Sequence, residues 1–130
     1  MTSRPSSGEP AFDLQVGDRE IDAETHVVEA SGQLDLYTAP DFKERLVYAA
    51  ERGKKHLVVD LSGLTFMDST GLGVLVGAWK RVRPFGGSVT VVAVDERIVK
   101  LFELSGLAAT FPIEPTLDSA LAVVAQQKAA

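Results

Sequence analysis

Leu61-Ser-Gly-Leu-Thr-Phe-Met-Asp-Ser-Thr-Gly-Leu-Gly73 is the stretch whose reading decides the fold. Before it runs Leu57-Val-Val-Asp-Leu61, a near-continuous apolar segment of strand length, the kind found inside a sheet. After it Leu72, Leu75, Val76 and Trp79 recur at helical spacing until Gly86-Gly87. A strand, a polar loop and a helix opening near Asp68-Ser69 therefore follow one another. Helix N-termini carry unpaired N–H donors and the positive end of the dipole, so such a place suits an anion, phosphate above all. The same residues also fit a plain helix start, capped by Asp68 or Ser69, with glycines that allow close packing. Both readings stay open at this point.

Three enzyme readings of the segment fail on spacing. Gly71, Gly73 and Gly77 form G-x-G-x-x-x-G, whereas a dinucleotide fingerprint needs glycine where Val76 stands. No Gly-Lys-Ser or Gly-Lys-Thr occurs, so there is no P-loop. Ser69 has glycine two residues after it but Met67 two before, which leaves a nucleophile elbow half made. His26 and His56, the two histidines, both precede Ser69, against the usual order of that hydrolase fold. They are too far apart for a metal pair and read as structural. Asp60 fits poorly as a receiver aspartate, since neither an acidic pair after the first strand nor a later Lys-Pro is present.

Outward from this centre the chain alternates. Phe12, Leu14 and Val16 have strand period, His26 to Ala30 reads as a second strand, and Leu34 and Leu36 around Asp35 as a short extended piece. Thr38-Ala-Pro-Asp41 has capping-box spacing ahead of a helix burying Phe42, Leu46, Ala49 and Ala50 and stopping at Gly53. Ser88 to Val94 is a valine-rich strand. Asp95 caps a short helix with Ile98, Leu101 and Phe102 inward, ending at Gly106. Thr116 caps a last helix with Leu117, Leu121 and Val124 inward. Strands first and βαβα afterwards predict an α/β fold on a mixed sheet.

The 130 residues suit one domain with a sizeable core. Residues 1–10 read as a disordered, dispensable leader and 11–127 as the domain. The chain has no cysteine, which excludes a disulfide scaffold, a thiolate metal site and a cysteine nucleophile. Thirteen Lys and Arg against eighteen Asp and Glu give a formal charge of −5, and Lys54-Lys55 and Lys80-Arg81 with Arg83 read as solvated surface. That is not the footprint of a nucleic-acid binder. The longest nonpolar run, Gly71 to Trp79, is too short to span a bilayer. A soluble, cytoplasmic protein is expected.

Asp68-Ser69-Thr70-Gly71-Leu72-Gly73-Val74 resembles the signature of the STAS-domain anti-sigma factor antagonists of bacteria. Gly32-Gln33-Leu34-Asp35 is similar to that family's Gly-Glu-Leu-Asp, with Gln33 in place of glutamate. Val58-Val59-Asp60-Leu61, Phe66-Met67, Leu101-Phe102 and Ser105-Gly106-Leu107 extend the likeness in order over about residues 12–125. The resemblance implies a single STAS domain, with helices packed on one face of a mixed sheet. It implies a non-enzymatic partner switch with no cofactor. Such a protein binds a serine-kinase anti-sigma factor and frees the sigma factor. The kinase inactivates it by phosphorylating the serine after the aspartate, here Ser69, and a PP2C-type phosphatase restores it. Asp35, Asp68, Ser69, Thr70 and Gly71 would form the partner surface, and the free protein would be a monomer. The alternative keeps the fold in another signalling complex, binding a nucleotide or lipid.

Three local expectations follow. Counting 100° per residue along the Leu72–Trp79 stripe places Thr70 nearly opposite the core and Ser69 at its edge. That count favours Thr70 as acceptor, whereas the resemblance selects Ser69. Trp79 should pack in the core. Asp35, between Leu34 and Leu36, should point away from the core if those two point into it.

Overall fold

The computed structural model describes residues 13–129. The expected leader, residues 1–10, lies outside them. Five strands and four helices follow in order: β1 (Leu14–Glu20), β2 (Thr25–Leu34), α1 (Ala39–Glu51), β3 (His56–Met67), α2 (Ser69–Val82), β4 (Ser88–Val92), α3 (Glu96–Leu104), β5 (Ile113–Glu114) and α4 (Leu117–Ala129). The sheet order is β1-β2-β3-β4-β5, with β1 antiparallel to β2 and every other pair parallel. The sheet is mixed, as expected. β2 absorbs Leu34 into one strand, so Leu36 lies beyond its end and is exposed.

Most local stop and start signals act where the sequence places them. Asp68 accepts a hydrogen bond from the Thr70 N–H and Asp95 one from Arg97 N–H, both at 2.9 Å. The Thr116 hydroxyl accepts one from Ser119 N–H at 3.0 Å. Gly53, Gly86 and Gly106 all close helical turns. The expected capping box at Thr38 does not form. The Thr38 hydroxyl turns back, donating to the Gln33 carbonyl at 2.8 Å and accepting from the Asp35 N–H at 3.0 Å. Pro40, in the first turn of α1, needs no N–H partner and has its φ already set for the helix.

Alternation along the central strands divides the core in two. Val28, Val59 and Val91 face a large cluster containing Phe42 and Leu46 of α1, Leu72 and Leu75 of α2, and Ile98 and Phe102 of α3. Val27, Val58 and Val92 point the other way and meet Ala120 and Val124 of α4. The expectation that all helices share one face is therefore corrected: α4 covers the second face. The valine pairs in β2, β3 and β4 explain it, since a strand apolar on both sides needs cover on both sides.

Helix α2 also sits differently from its stripe. Its buried residues are Gly71, Leu72, Leu75, Ala78 and Val82, and Trp79 is half-buried. A Cβ on Gly71 would lie 2.8 Å from the Leu34 side chain and 3.1 Å from Met67, so glycine is needed for this approach. Small residues carry the contact face, and a count of large apolar residues points too far toward Trp79. Trp79 still packs on the core, edge-on to Phe111 at 6.5 Å between ring centroids. Phe111, fully buried in a loop, joins it to Phe102 at 6.2 Å.

Candidate functional site

Parallel pairing puts the C-terminal ends of β2 and β3 side by side, with Leu34 opposite Met67. The two segments singled out in the sequence therefore meet, and Asp68 N–H reaches the Leu34 carbonyl at 3.4 Å. Gly32 has φ +103°, which L side chains rarely adopt, and a Cβ there would run into the Asp13 carbonyl. That geometry lies between two register shifts of the β2–β3 pair, at each of which β3 carries the extra residue.

Asp35 builds the β2–α1 turn. Its Oδ1 accepts from Tyr37 N–H at 2.9 Å and Thr38 N–H at 3.1 Å, while its carbonyl accepts from Ala39 N–H at 2.9 Å. The expectation based on Leu34 and Leu36 as a facing pair fails, because Leu34 is buried and Leu36 is 68% exposed. The carboxylate orders a loop that holds Leu36 and the 88%-exposed Tyr37 outward.

Asp68 is the extended N-cap of α2, and Ser69 is the first helical residue. Ser69 is exposed and Thr70 half-buried, the reverse of the helical count. The reason is the rotation of α2: half-buried Thr70 and Val74 turn toward the groove shared with Leu46 and Val47 of α1. Gly71 is buried, so its contribution to a partner surface is confined to keeping the loop close to Leu34. Phe66, 46% exposed, stands two residues before Asp68. The outward Leu36, Tyr37 and Phe66 were not among the sequence candidates. Leu36 and Tyr37 lie just past the end of β2 and Phe66 is the penultimate residue of β3, and an apolar residue at such a place resembles core in the sequence.

No group of three or more His, Asp or Glu among the described residues is placed to hold a metal ion. No helix among them is long and apolar enough to cross a membrane. His26 and His56 lie near the start of their strands, away from Ser69. His56 is buried, and burial lowers its pKa below the ordinary 6.5.

The molecule thus presents an exposed serine at the start of its second helix, beside a mixed five-stranded sheet. Residues 18–120 match the STAS domain. The chain belongs to the STAS domain family. This STAS domain is 39% identical over 96 residues to the anti-sigma-B factor antagonist of Bacillus subtilis (strain 168), covering 74% of this chain and 84% of that protein. A solved anti-sigma factor antagonist from Mycobacterium paratuberculosis superposes with a TM-score of 0.79 at 32% identity, over 85% of this chain and 93% of that one. The unphosphorylated form of the anti-sigma factor antagonist SpoIIAA shares the fold at a TM-score of 0.76 and 21% identity, over 86% and 97% of the two chains.

Proposed function

We propose that this STAS domain is an anti-sigma factor antagonist that binds a serine-kinase anti-sigma factor, frees the sigma factor, and is switched off when the kinase phosphorylates Ser69. The observation that carries the site assignment is the exposed Ser69 hydroxyl at the first residue of α2, beside the capping Asp68. Neither residue is buried, so a kinase can reach the hydroxyl without unfolding the helix. Ser69 is the substrate, and the kinase supplies ATP and the base. A PP2C-type phosphatase would reverse the step, and the cytoplasm is where such a circuit runs. The free protein is a monomer.

The switch acts on binding. A phosphoryl group adds about −1.5 to −2 charges at a helix N-terminus, where free N–H groups and the dipole favour it. The fold therefore tolerates it. At the partner surface the same charge stands beside Asp68, must be desolvated on docking, and repels acidic neighbours. Exposed Leu36, Tyr37 and Phe66 supply the apolar area that docking would bury, and Asp35 holds the first two in place.

The test uses the host's serine-kinase anti-sigma factor with ATP. Ser69→Ala should take up no phosphate and still bind the kinase. Ser69→Asp should bind at least 100-fold more weakly with an unchanged melting midpoint. Phosphopeptide mapping onto Thr70, or continued labelling of Ser69→Ala, overturns the site assignment.

A further inference from the structure

Between α1 and α2, starting at Thr70 beside the Ser69 hydroxyl, lies an open groove of about 500 Å³. Its walls are Leu46 and Val47 of α1 and Val74 and Ala78 of α2. Lys43, Lys80 and Arg81 also line it, and no carboxylate does. All three cations are exposed, and none makes an ion pair among the described residues. Arg45, Lys54, Lys55, Arg97 and Lys128 have carboxylate partners within 3.3 Å. Arg19, Arg52, Arg83 and Lys100 have none among the described residues, but they do not line the groove. In a chain of net charge −5, three unpaired cations along one apolar groove are a local inversion of the surface field.

The glycines of the groove carry a second, independent observation. Gly73 and Gly77, one turn apart, are exposed within α2, and a Cβ on either would meet nothing within 4 Å. Neither has a positive φ. The fold itself gains nothing from glycine at these positions, and glycine inside a helix is unfavourable relative to alanine. What the two glycines do create is a shallow trough in which a second backbone can approach closely. From Thr70 to Arg81 the trough runs about 16 Å, three turns of helix.

We infer that this groove is a second docking surface, which takes an acidic helical segment of the anti-sigma partner. The inference rests on the antagonist reading above and adds to it the surface and chemistry of contact. The carboxylates of that segment meet Lys43, Lys80 and Arg81, while its small apolar side chains lie over Gly73 and Gly77. A phosphoryl group on Ser69 then stands at the groove mouth and repels the acidic segment. Release of the partner thereby needs no change in the antagonist's fold.

The experiment measures affinity of the unphosphorylated full chain for the host's serine-kinase anti-sigma factor. The triple variant Lys43→Glu/Lys80→Glu/Arg81→Glu and the filled variant Gly73→Leu/Gly77→Leu should each bind at least tenfold more weakly. The filled variant should melt at or above the wild-type midpoint, since leucine favours helix over glycine. Should it fail to fold, the charge-reversed variant, altered only at exposed positions, decides alone. Because the chain lacks cysteine, Gly77→Cys carries a single photo-crosslinker. The crosslink should map to an acidic helix of the kinase and disappear when Ser69 is phosphorylated. Binding within twofold of wild type in the charge-reversed variant, or a crosslink to a basic or non-helical segment, overturns the inference while normal Ser69 labelling leaves the antagonist reading standing. A wild-type chain that forms no complex with the kinase overturns both. Binding of phosphatidylglycerol vesicles that the charge reversal abolishes, with kinase affinity unchanged, assigns the groove to a membrane surface and also overturns it.

Discussion

The two ends of the parallel strands differ sharply in how their polar groups are used. At the end where β3 and β4 begin, Lys54, Lys55, Asp22 and Lys128 are all engaged. Lys54, buried, donates from Nζ to the Asp22 carbonyl at 2.6 Å and lies 3.2 Å from Glu20. The Asp22 carboxylate accepts from Glu24 N–H and Thr25 N–H and binds Lys128 of α4 at 2.8 Å. Ser88 donates its hydroxyl to Gln127 at 2.7 Å, so His56 carries its proton on Nδ1 and donates to Ser88 at 2.9 Å. This network ties α4 to the sheet. At the other end, roughly 30–35 Å away along β3, Ser69, Leu36, Tyr37 and Phe66 face solvent. One end closes the chain on itself and the other leaves contacts for a partner. A charge can therefore be added at Ser69 without loosening what holds the domain together.

The sharpest way to break this division is at Lys54. Its ion pair with the exposed Glu20 is worth little, so most of the effect lies in the buried stem and the hydrogen bond to Asp22. Lys54→Ala should cost about 2–3 kcal/mol in a denaturant titration. Kinase affinity of the folded fraction should stay within twofold of wild type. A loss of affinity would show that the two ends are coupled.

Asp35 tests the division from the other side, because it is a structural residue at the open end. Removing its turn hydrogen bonds in Asp35→Ala should cost about 1 kcal/mol of stability. Kinase binding should also weaken, since Leu36 and Tyr37 lose their fixed position. Asp35→Asn, which keeps an acceptor for Tyr37 and Thr38, should recover most of both. Full recovery of stability without recovery of binding would instead assign the carboxylate charge itself to the partner.

The smallest effect expected is with pH. The folded-state pKa of His56 lies below 6.5, chiefly through burial, with Glu24 and Asp22 opposing and Lys128 and Lys55 reinforcing the shift. The unfolded chain therefore binds the proton first. Its contribution is complete above about pH 6.5 and declines as pH falls from there toward the folded value. Asp22, held well below the ordinary 3.8 chiefly by Lys128 and the Glu24 N–H, loses its contribution only below that value. Melting midpoints between pH 7 and 5 should thus fall for the wild type and flatten in His56→Gln. An equal fall in the variant would place the sensitivity elsewhere.

What the sequence by itself determined is the local grammar: the caps at Asp68, Asp95 and Thr116, the glycine stops, and the apolar run of β3. These are contacts between residues a few positions apart, and residue type alone sets their energy. The Asp-Ser-Thr-Gly segment was legible as a helix start for the same reason. Only the tertiary structure decided which hydroxyl there is exposed, because that depends on how α2 rolls against α1 and Leu34 through Gly71 and Ala78, residues with almost no hydrophobic signal. The burial of Phe111 in a loop, the two-residue β5 and the exposed Leu36, Tyr37 and Phe66 were hidden likewise. An amphipathic helix states that it needs a surface and not which one. The place of α4 was set by the outward valines of three strands far apart in the chain.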